Sequence, residues 1–297
     1  MKNDSQQSAN TQPLTTGKNQ TKGHQKKSLQ SDQNANQDST ITRTPKTGTI
    51  SSERSNAKMK QVHITLQGKG GVGKSFAAAL IAQYLRTKSQ PVAVVDTDPV
   101  NATLAGYRAF DTERLELLEG GALVERNFDK LIERVIAEDT HFVVDNGASS
   151  FIPLSYYIVE NDAINVMAEH GKQVVIHTVV TGGQALKDTL TGFSELVEQM
   201  PAQTQIVVWL NEFFGDIKAE GKEFEEMQVY QNNKDRVHGI ITIPRQTSST
   251  FGKDVQVMLD EKMTFDEVAK SEKFGLMAKS RLSQVRKVIF DQLNIVL

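Results

Sequence analysis

Residues Gly68–Ser75 read GKGGVGKS and satisfy the spacing G-x-x-x-x-G-K-[ST] of a phosphate-binding loop. A short apolar run at Val62–Leu66 precedes the loop and a helical pattern at Ser75–Arg86 follows it, as that motif requires. Glycines let backbone N–H groups point inward at phosphates, and the following helix adds its positive end. The residues expected to bind a nucleotide here are Gly68, Gly70, Gly71, Val72, Gly73, Lys74 and Ser75.

Two side chains of this loop carry specific chemistry. The Lys74 ammonium group should reach the β- and γ-phosphates, and the Ser75 hydroxyl should coordinate Mg²⁺. A glycine-rich turn that binds nothing is the alternative, but it does not explain why the lysine, the serine, the strand and the helix occur together. The loop therefore predicts binding of a nucleotide with Mg²⁺.

Outside the loop, the chain alternates short apolar runs with longer helical patterns, which is typical of βα units and a parallel sheet. We predict an α/β fold, a doubly wound, mostly parallel sheet with helices on both faces and ligands at the carboxyl ends of the strands. Further strands are predicted at Val92–Asp96, His141–Asp145, Gln173–Val180, Gln205–Asn211 and Val237–Ile243. Further helices are predicted at Phe128–Glu138, Gly183–Gln199, Phe224–Asn232 and across much of Ser271–Leu297.

Lys69 is informative because an ordinary phosphate-binding loop does not require a lysine directly after its first glycine. With this lysine, GKGGVGKS resembles the deviant Walker A motif of the ParA/MinD family, P-loop NTPases of the SIMIBI class. The resemblance implies an ATP-dependent homodimer that sandwiches two nucleotides. In such a dimer, Lys69 would reach across to the phosphates of the partner protomer.

The segment VVDTDPVNAT at Val94–Thr103 is similar to a second motif of the same family, in which two aspartates stand at i and i+2. Because alternate side chains of a strand point the same way, Asp96 and Asp98 can both face the phosphate end of the sheet. One carboxylate can hold Mg²⁺ through water while the other orients the attacking water. We assign Asp96 to the metal and Asp98, with Lys69, to catalysis. A turn-forming aspartate before Pro99 is the alternative for Asp98.

A third motif, HFVVDNG at His141–Gly147, matches the Walker B pattern of an apolar strand that ends in a carboxylate. Asp145 would hold a Mg²⁺-bound water, and Asn146–Ser150 would sense the γ-phosphate as a switch loop. Many buried strands end in Asp as a cap or turn former, so this assignment depends on the other two motifs. The family often has Thr-Pro-Pro after this aspartate, whereas this chain has Asn-Gly-Ala.

Two later strand ends, at Asn211 and Pro244, lie where the resemblance implies contacts with adenine. An Asn amide can satisfy both a donor and an acceptor on the base edge, and an ordinary turn at each position is the alternative. Adenine is favoured over guanine because the sequence has no N-K-x-D motif, since Asn233–Arg236 ends in Arg. The expected cofactors are therefore ATP and Mg²⁺.

The cysteine content and further segments of the sequence indicate which members of the ParA/MinD family this chain resembles. The sequence has no cysteine, which excludes disulfides, thiolate metal sites and the iron–sulfur members of this superfamily.

From Lys60 onward, several segments resemble the TraL-type ATPase-like proteins of plasmid conjugal transfer regions: QGKGGVGKS, DTDPVNAT, DNGASSFIPLS, VVIHTVVTGGQAL and VVWLN. The segment His177–Leu186 belongs to this resemblance and has no chemical explanation in the sequence. We expect His177, Thr178 and Thr181 to be buried strand residues, with a polar site as the alternative.

The first 58 residues differ in composition from the rest. Of these, 31 are Ser, Thr, Asn or Gln and none is aromatic, so the segment cannot bury enough apolar surface to offset its ordering entropy. We predict a disordered extension at residues 1–58 and an ATPase domain at residues 59–297, with a translation start at Met59 as the alternative. Without an N-terminal apolar segment or a long apolar run, we expect a cytoplasmic protein with no transmembrane segment.

Two functional classes share this predicted site. The first is an ATP-hydrolysing dimeric switch accessory to plasmid conjugal transfer, whose output is recognition of a protein partner. The second is a plasmid or cargo partition ATPase that binds DNA non-specifically, which requires a basic face. Candidates for that face, with an ordinary solvated face as the alternative, are Lys270, Lys273, Lys279, Arg281, Arg286 and Lys287. A nucleotide-binding module without significant hydrolysis also fits the motifs. Val285–Leu297 mixes apolar and basic residues, as an amphipathic membrane-binding helix does. We nevertheless expect a helix that packs on its own sheet, with the membrane-binding helix as the alternative.

Overall fold

The structure is a computed structural model that describes residues 59–297. Its strands are β1 Lys60–Thr65, β2 Val92–Asp96, β3 Glu113–Arg114, β4 Leu118–Glu119, β5 Ala122–Leu123, β6 His141–Asp145, β7 Lys172–Thr181, β8 Gln205–Asn211, β9 Lys218–Ala219, β10 Lys222–Glu223 and β11 Val237–Ile243. In this part of the chain, seven strands form a sheet in the order β11-β8-β7-β1-β6-β2-β3. Every pair of neighbours in this sheet is parallel. Antiparallel pairing joins β4 to β5 and β9 to β10.

Helices cover both faces of the sheet. They are α1 Lys74–Thr87, α2 Asn127–Ala137, α3 Phe151–Glu160, α4 Ala163–Glu169, α5 Leu186–Gln199, α6 Gln228–Gln231, α7 Phe251–Asp260, α8 Phe265–Lys270 and α9 Leu276–Val296. One core lies between the sheet and α2 to α5, and a second lies between the sheet and α1, α7, α8 and α9. The predicted doubly wound α/β fold is therefore confirmed.

The alternation along single strands explains why each strand serves both cores. Phe142 and Val144 of β6 pack in the first core, whereas Val143 between them packs in the second. Because both faces are covered, such strands are nearly continuous apolar runs. The strand β1 lies at the centre of the sheet, between β6 and β7, so the loop that follows it leaves from the middle of the carboxyl edge.

Several element boundaries agree with the sequence prediction, and one predicted helix is wrong. The strands β2, β6, β8 and β11 have the predicted limits, and α9 lies within the predicted Ser271–Leu297. The predicted helix Phe224–Asn232 is instead a 3-10 turn at Phe224–Glu226 and the short α6, because Met227 adopts an extended conformation with φ −70° and ψ 143°. The Met227 side chain is buried in the first core, so packing overrides helical propensity at this residue.

The long strand β7 carries a buried histidine, as predicted. His177, Thr178 and Thr181 are all buried. The Trp209 indole donates to His177 Nδ1 at 3.0 Å, so His177 must carry its proton on Nε2, which lies 2.9 Å from His63 Nδ1. Burial lowers the pKa of His177 to about 3, so the ring stays neutral at physiological pH.

The prediction that α9 packs on its own sheet is confirmed, since Leu282, Val285, Ile289 and Leu293 are buried in the second core. Among residues 59–297, none of the helices is both long and apolar enough to cross a membrane. The predicted disorder of residues 1–58, and the domain boundary drawn there, concern residues outside the described range.

Candidate functional site

The loop Gly68–Ser75 connects β1 to α1, and its glycines meet steric conditions that a side chain would violate. Gly71 and Gly73 have φ of 74° and 105°, in the left-handed region that favours glycine. A Cβ atom on Gly73 would lie 2.7 Å from Asn211 Nδ2, and one on Gly68 would lie 3.1 Å from the Phe151 ring. The loop is therefore enclosed by β8 on one side and by the start of α3 on the other.

The buried Lys74 is the first residue of helix α1, and its side chain folds back onto the loop. Its ammonium group donates to the Lys69 carbonyl at 2.9 Å, across the base of the loop. Burial lowers the pKa of Lys74, and the Asp145 and Asp98 carboxylates oppose that shift. The helix start and the ammonium group together present positive charge to an anion bound at the loop.

The Asp145 carboxylate is buried and interacts with Lys74 and Ser75 of this loop. Its Oδ1 accepts from the Thr65 hydroxyl at 2.9 Å, whereas Oδ2 has no hydrogen-bond partner among residues 59–297. Burial raises the pKa of Asp145 to about 7, against the opposing effects of the Ser75 and Thr65 hydroxyls and Lys74. A buried carboxylate oxygen with an open lone pair beside a serine hydroxyl fits a hard cation such as Mg²⁺.

Asp96 lies beside Asp145 in the sheet, and both of its carboxylate oxygens accept hydrogen bonds from backbone N–H groups. Its Oδ1 accepts from the Asp98 N–H at 3.0 Å, and its Oδ2 accepts from the Ala105 N–H at 2.9 Å. No group of three or more His, Cys, Asp or Glu residues within 59–297 could enclose a metal by itself. Asp96 is fixed at the end of β2 by these two backbone hydrogen bonds.

Asp98 both forms a turn and faces the cavity. Its Oδ1 accepts from the Val100 N–H at 2.9 Å and from the Asn101 N–H at 3.0 Å, which is the turn-forming geometry considered as the alternative. A Cβ atom on Gly147 would lie 2.6 Å from this carboxyl group, so the predicted switch loop Asn146–Ser150 packs directly against Asp98. Asp98 shares the lining of one cavity with residues of the phosphate-binding loop and of this predicted switch loop.

Among residues 59–297, the ion pair of Lys69 is with Asp188 and not with Asp98. Its ammonium group pairs with Asp188 of α5 at 2.8 Å, and both side chains are about half exposed, at 45% and 55%. This pairing lowers the pKa of Asp188. Lys69 is not among the described residues that line the cavity at Lys74, so the structure does not bring the two predicted catalytic residues together.

Two of the cavities that border the loop share Gly71 and Gly73 in their lining. The larger of the two, about 540 Å³, is lined by Gly70 to Ser75 apart from Val72, by Asp98, and by Ala148 and Ser149 of the predicted switch loop. The smaller, about 200 Å³, is apolar and contains both Asn211 and Pro244. The dimensions and positions suit a phosphate chain in the first and a flat ring in the second.

The Asn211 side chain joins the smaller cavity to the loop. Its Nδ2 donates to the Val72 carbonyl at 2.9 Å, and its Oδ1 accepts from the Phe213 N–H at 3.2 Å. Other residues that line the two cavities were not predicted, because they are distant in sequence from the loop or belong to no motif. They include Phe76, Phe213, Phe214, Gln246, Leu259 and Lys262. Two adjacent phenylalanines directly after a predicted strand could have indicated an apolar binding surface at Phe213 and Phe214. No sequence pattern predicted that Lys262 lies at the site.

The segment His177–Leu186, unexplained in the sequence, supports the smaller cavity through backbone packing. The Thr181 hydroxyl donates to the Asn211 carbonyl at 2.8 Å. A Cβ atom on Gly182 would lie 2.3 Å from the Gly215 carbonyl oxygen. The glycines of TGGQAL are therefore required by the close approach of the Glu212–Gly215 turn.

The fold and this loop define a P-loop nucleotide-binding domain. Residues 64–254 match the CbiA family, the CobQ/CobB/MinD/ParA nucleotide binding domain, and the chain belongs to this family. Two proteins from Escherichia coli, each named Protein TraL, are 49% and 46% identical to it over 236 residues. Each match covers 80% of this chain and 98% of the relative.

Solved structures of similar fold have far lower sequence identity. The MinD cell division protein of Aquifex aeolicus is 16% identical, with a TM-score of 0.44 over 76% of this chain and 95% of that chain. A putative plasmid partition protein from Borrelia burgdorferi B31 bound to AMPPNP is 16% identical, with a TM-score of 0.46 over 81% of this chain and 100% of that chain.

Proposed function

We propose that this protein binds ATP with Mg²⁺ and hydrolyses it as a dimeric switch accessory to plasmid conjugal transfer. The observation that carries the proposal is the phosphate-binding loop, whose cavity continues into an apolar cavity that holds Asn211 and Pro244. A triphosphate in the first cavity and a purine in the second would occupy both. Membership of a nucleotide-binding family supports this use of the site.

Each residue of the loop region has a role in this proposal. The N–H groups of the loop and the Lys74 ammonium group hold the phosphates, and Asn211 and Pro244 contact the adenine. Ser75 and Asp145 would hold Mg²⁺, and Asp96 would support them while it anchors the turn at Ala105. When bound, Mg²⁺ neutralises charge on the phosphates. Asp98 orients the attacking water from its place beside the switch loop.

The proposed role of Lys69 requires a rearrangement. In the protomer, Asp188 holds the Lys69 ammonium group at 2.8 Å. An exposed pair of this kind contributes little to stability, so the phosphates of a second protomer can displace Asp188. Dimerisation with ATP would then replace one salt bridge by a contact with a more highly charged partner.

The biological setting is proposed from the relatives. Two proteins named TraL match this chain over 98% of their own length. Together with the TraL-type resemblance of the sequence motifs, these matches support a role in plasmid conjugal transfer. We place the protein in the cytoplasm, where ATP is available, with a protein of the conjugation system as its partner. The ATP-bound dimer would recognise that partner, and hydrolysis would release it.

The partition alternative has weaker support in the C-terminal region. Of the basic residues considered for DNA binding, Arg281 pairs with Asp254 at 2.5 Å and Arg286 pairs with Asp266 at 2.9 Å. Lys273 and Lys287 also pair with carboxylates. Basic side chains that are already paired with carboxylates contribute less to contacts with DNA phosphates. ATP- and salt-dependent binding to DNA would restore this alternative.

A nucleotide-binding module without hydrolysis is favoured by one observation. Asp98 Oδ1 already accepts two backbone N–H groups, so the carboxylate serves the turn whether or not water is activated. A phosphate-release assay on the parental protein distinguishes the two functions.

Calorimetry of the full-length protein tests nucleotide binding. Lys74→Ala should fold normally and lose most of its affinity for Mg·ATP, because it removes the charge facing the phosphates. Lys253→Ala, at an exposed lysine of α7, is the matched control and should bind as the parental protein does. Equal ATP affinity in Lys74→Ala and the control would refute the assignment of the loop.

A further inference from the structure

Lys262 lines the phosphate cavity, although it lies far along the chain from the loop. It follows helix α7, between Asp260 and the start of α8, and shares the cavity lining with Lys74 and Asp98. It does not line the apolar cavity at Asn211 and Pro244. Among the described lining residues of the larger cavity, Lys74 and Lys262 are the two that carry positive charge.

The backbone of Lys262 has a conformation that is unfavourable for lysine. Its φ is 51°, in the left-handed region. The Lys262 N–H donates to the Leu259 carbonyl at 3.1 Å and the Met263 N–H donates to the Met258 carbonyl at 3.0 Å, which is the Schellman motif at the end of a helix. Glycine is the usual residue at this position of the motif, so stability alone does not explain a lysine here.

The lysine stem rests on a turn tied to the carboxyl end of β2. A Cβ atom on Gly106 would lie 3.3 Å from Lys262 Cγ, so the absence of a side chain at Gly106 leaves room for the stem. The preceding Ala105 donates its N–H to Asp96 Oδ2 at 2.9 Å. The stem is thus held against a turn that a buried carboxylate of the site fixes in place.

The charge of Lys262 is not used within the described fold. Lys273 pairs with Glu261 at 2.6 Å and Arg281 pairs with Asp254 at 2.5 Å. In contrast, none of the ion pairs within residues 59–297 includes Lys262. A lysine with this backbone strain, this support and this place in the cavity lining is suited to an anionic ligand.

We infer that Lys262 binds the phosphate chain of the nucleotide, as a second cation opposite Lys74. This inference rests on the proposed function, because it requires a nucleotide in the cavity. It assigns a contact to the α7–α8 connection, a part of the chain that carries no nucleotide-binding motif. It also explains why a lysine stands where glycine would favour the fold.

The test compares ATP affinity and thermal midpoint in the full-length variants Lys262→Gly and Ser89→Gly. Ser89 is a matched control, because it occupies the same motif position after α1, with φ 55° and with the Gln90 N–H donating to the Leu85 carbonyl at 3.3 Å. Both substitutions relieve a left-handed backbone, so both should raise the thermal midpoint by about 2–4 °C. Only Lys262→Gly should weaken ATP binding, by about tenfold, and Lys262→Arg should restore it.

Adenosine separates a phosphate contact from a change in cavity shape. Lys262→Gly should bind adenosine as tightly as the parental protein does, because adenosine has no phosphate. Parental ATP affinity in Lys262→Gly, or an equal loss for ATP and adenosine, would overturn the inference. If the parental protein does not bind ATP, or Lys74→Ala binds it normally, the proposed function fails and the inference falls with it. If Lys74→Ala loses ATP while Lys262→Gly retains it, the inference alone is wrong.

Discussion

Replacing Asp145 by asparagine should stabilise the nucleotide-free protein at alkaline pH and not at acidic pH. Burial raises the pKa of this carboxyl group from 3.8 to about 7. The folded state therefore binds more protons than the unfolded state between these values, and stability falls as the pH rises through this window. The loss is about 1.4 kcal/mol per pH unit, or about 4 kcal/mol across the window.

Asparagine has the same shape and cannot ionise, so it removes this pH dependence. The free energy of unfolding, measured by urea denaturation without Mg²⁺ or nucleotide, should favour Asp145→Asn over the parental protein more at pH 8 than at pH 4. The expected difference between the two pH values is about 4 kcal/mol, as an upper value. A difference between the proteins that does not change with pH would show that Asp145 is ionised at its ordinary pKa and would refute this reasoning.

Three further predictions concern His177, Gly182 and the first 58 residues. Burial lowers the pKa of His177 to about 3, so below pH 6.5 the unfolded state binds a proton that the folded state does not. In urea denaturation of Asp145→Asn, the free energy of unfolding should fall by about 1.4 kcal/mol per pH unit as the pH falls from 6.5 toward 3. A free energy of unfolding that does not change over this range would contradict the prediction. Gly182→Ala should cost about 1–3 kcal/mol, because its Cβ atom would lie 2.3 Å from a carbonyl oxygen. Gly275→Ala, with nothing within 4 Å, should lower the thermal midpoint less, because it only replaces a favourable N-cap residue of α9. Deleting residues 1–58 should change neither the thermal midpoint nor ATP affinity, and a drop of several degrees would show that the segment stabilises the domain.

Local patterns were sufficient to predict the sheet and the loop. The strands β2, β6 and β8 are apolar runs ended by Asp96, Asp145 and Asn211, so their limits could be read from the sequence. The break at Met227 could not, since it depends on burial of that side chain in a core formed by distant residues. Sequence periodicity describes an element in isolation, whereas packing against the rest of the fold decides where it bends.

The site was predictable only where its residues belong to motifs. Lys74, Asp98 and Asp145 come from three segments with recognisable spacing, and the structure gathers Lys74 and Asp98 around one cavity with Asp145 close by. Lys262 reaches the same cavity through the packing of α7 on the second core and has no motif around it. The pairing of Lys69 with Asp188 likewise joins residues that no local pattern connects.

Sedimentation of the full-length protein with Mg·ATP, combined with phosphate release, tests the ATP-dependent dimeric switch. The parental protein should dimerise with ATP and hydrolyse it. Lys69→Ala should lose both properties, because the partner protomer's phosphates lose a positive contact. Asp98→Ala should dimerise and hydrolyse slowly, since its carboxylate acts mainly in the transition state. A parental protein that stays monomeric with Mg·ATP, or a Lys69→Ala variant that dimerises and hydrolyses at the parental rate, would contradict the switch.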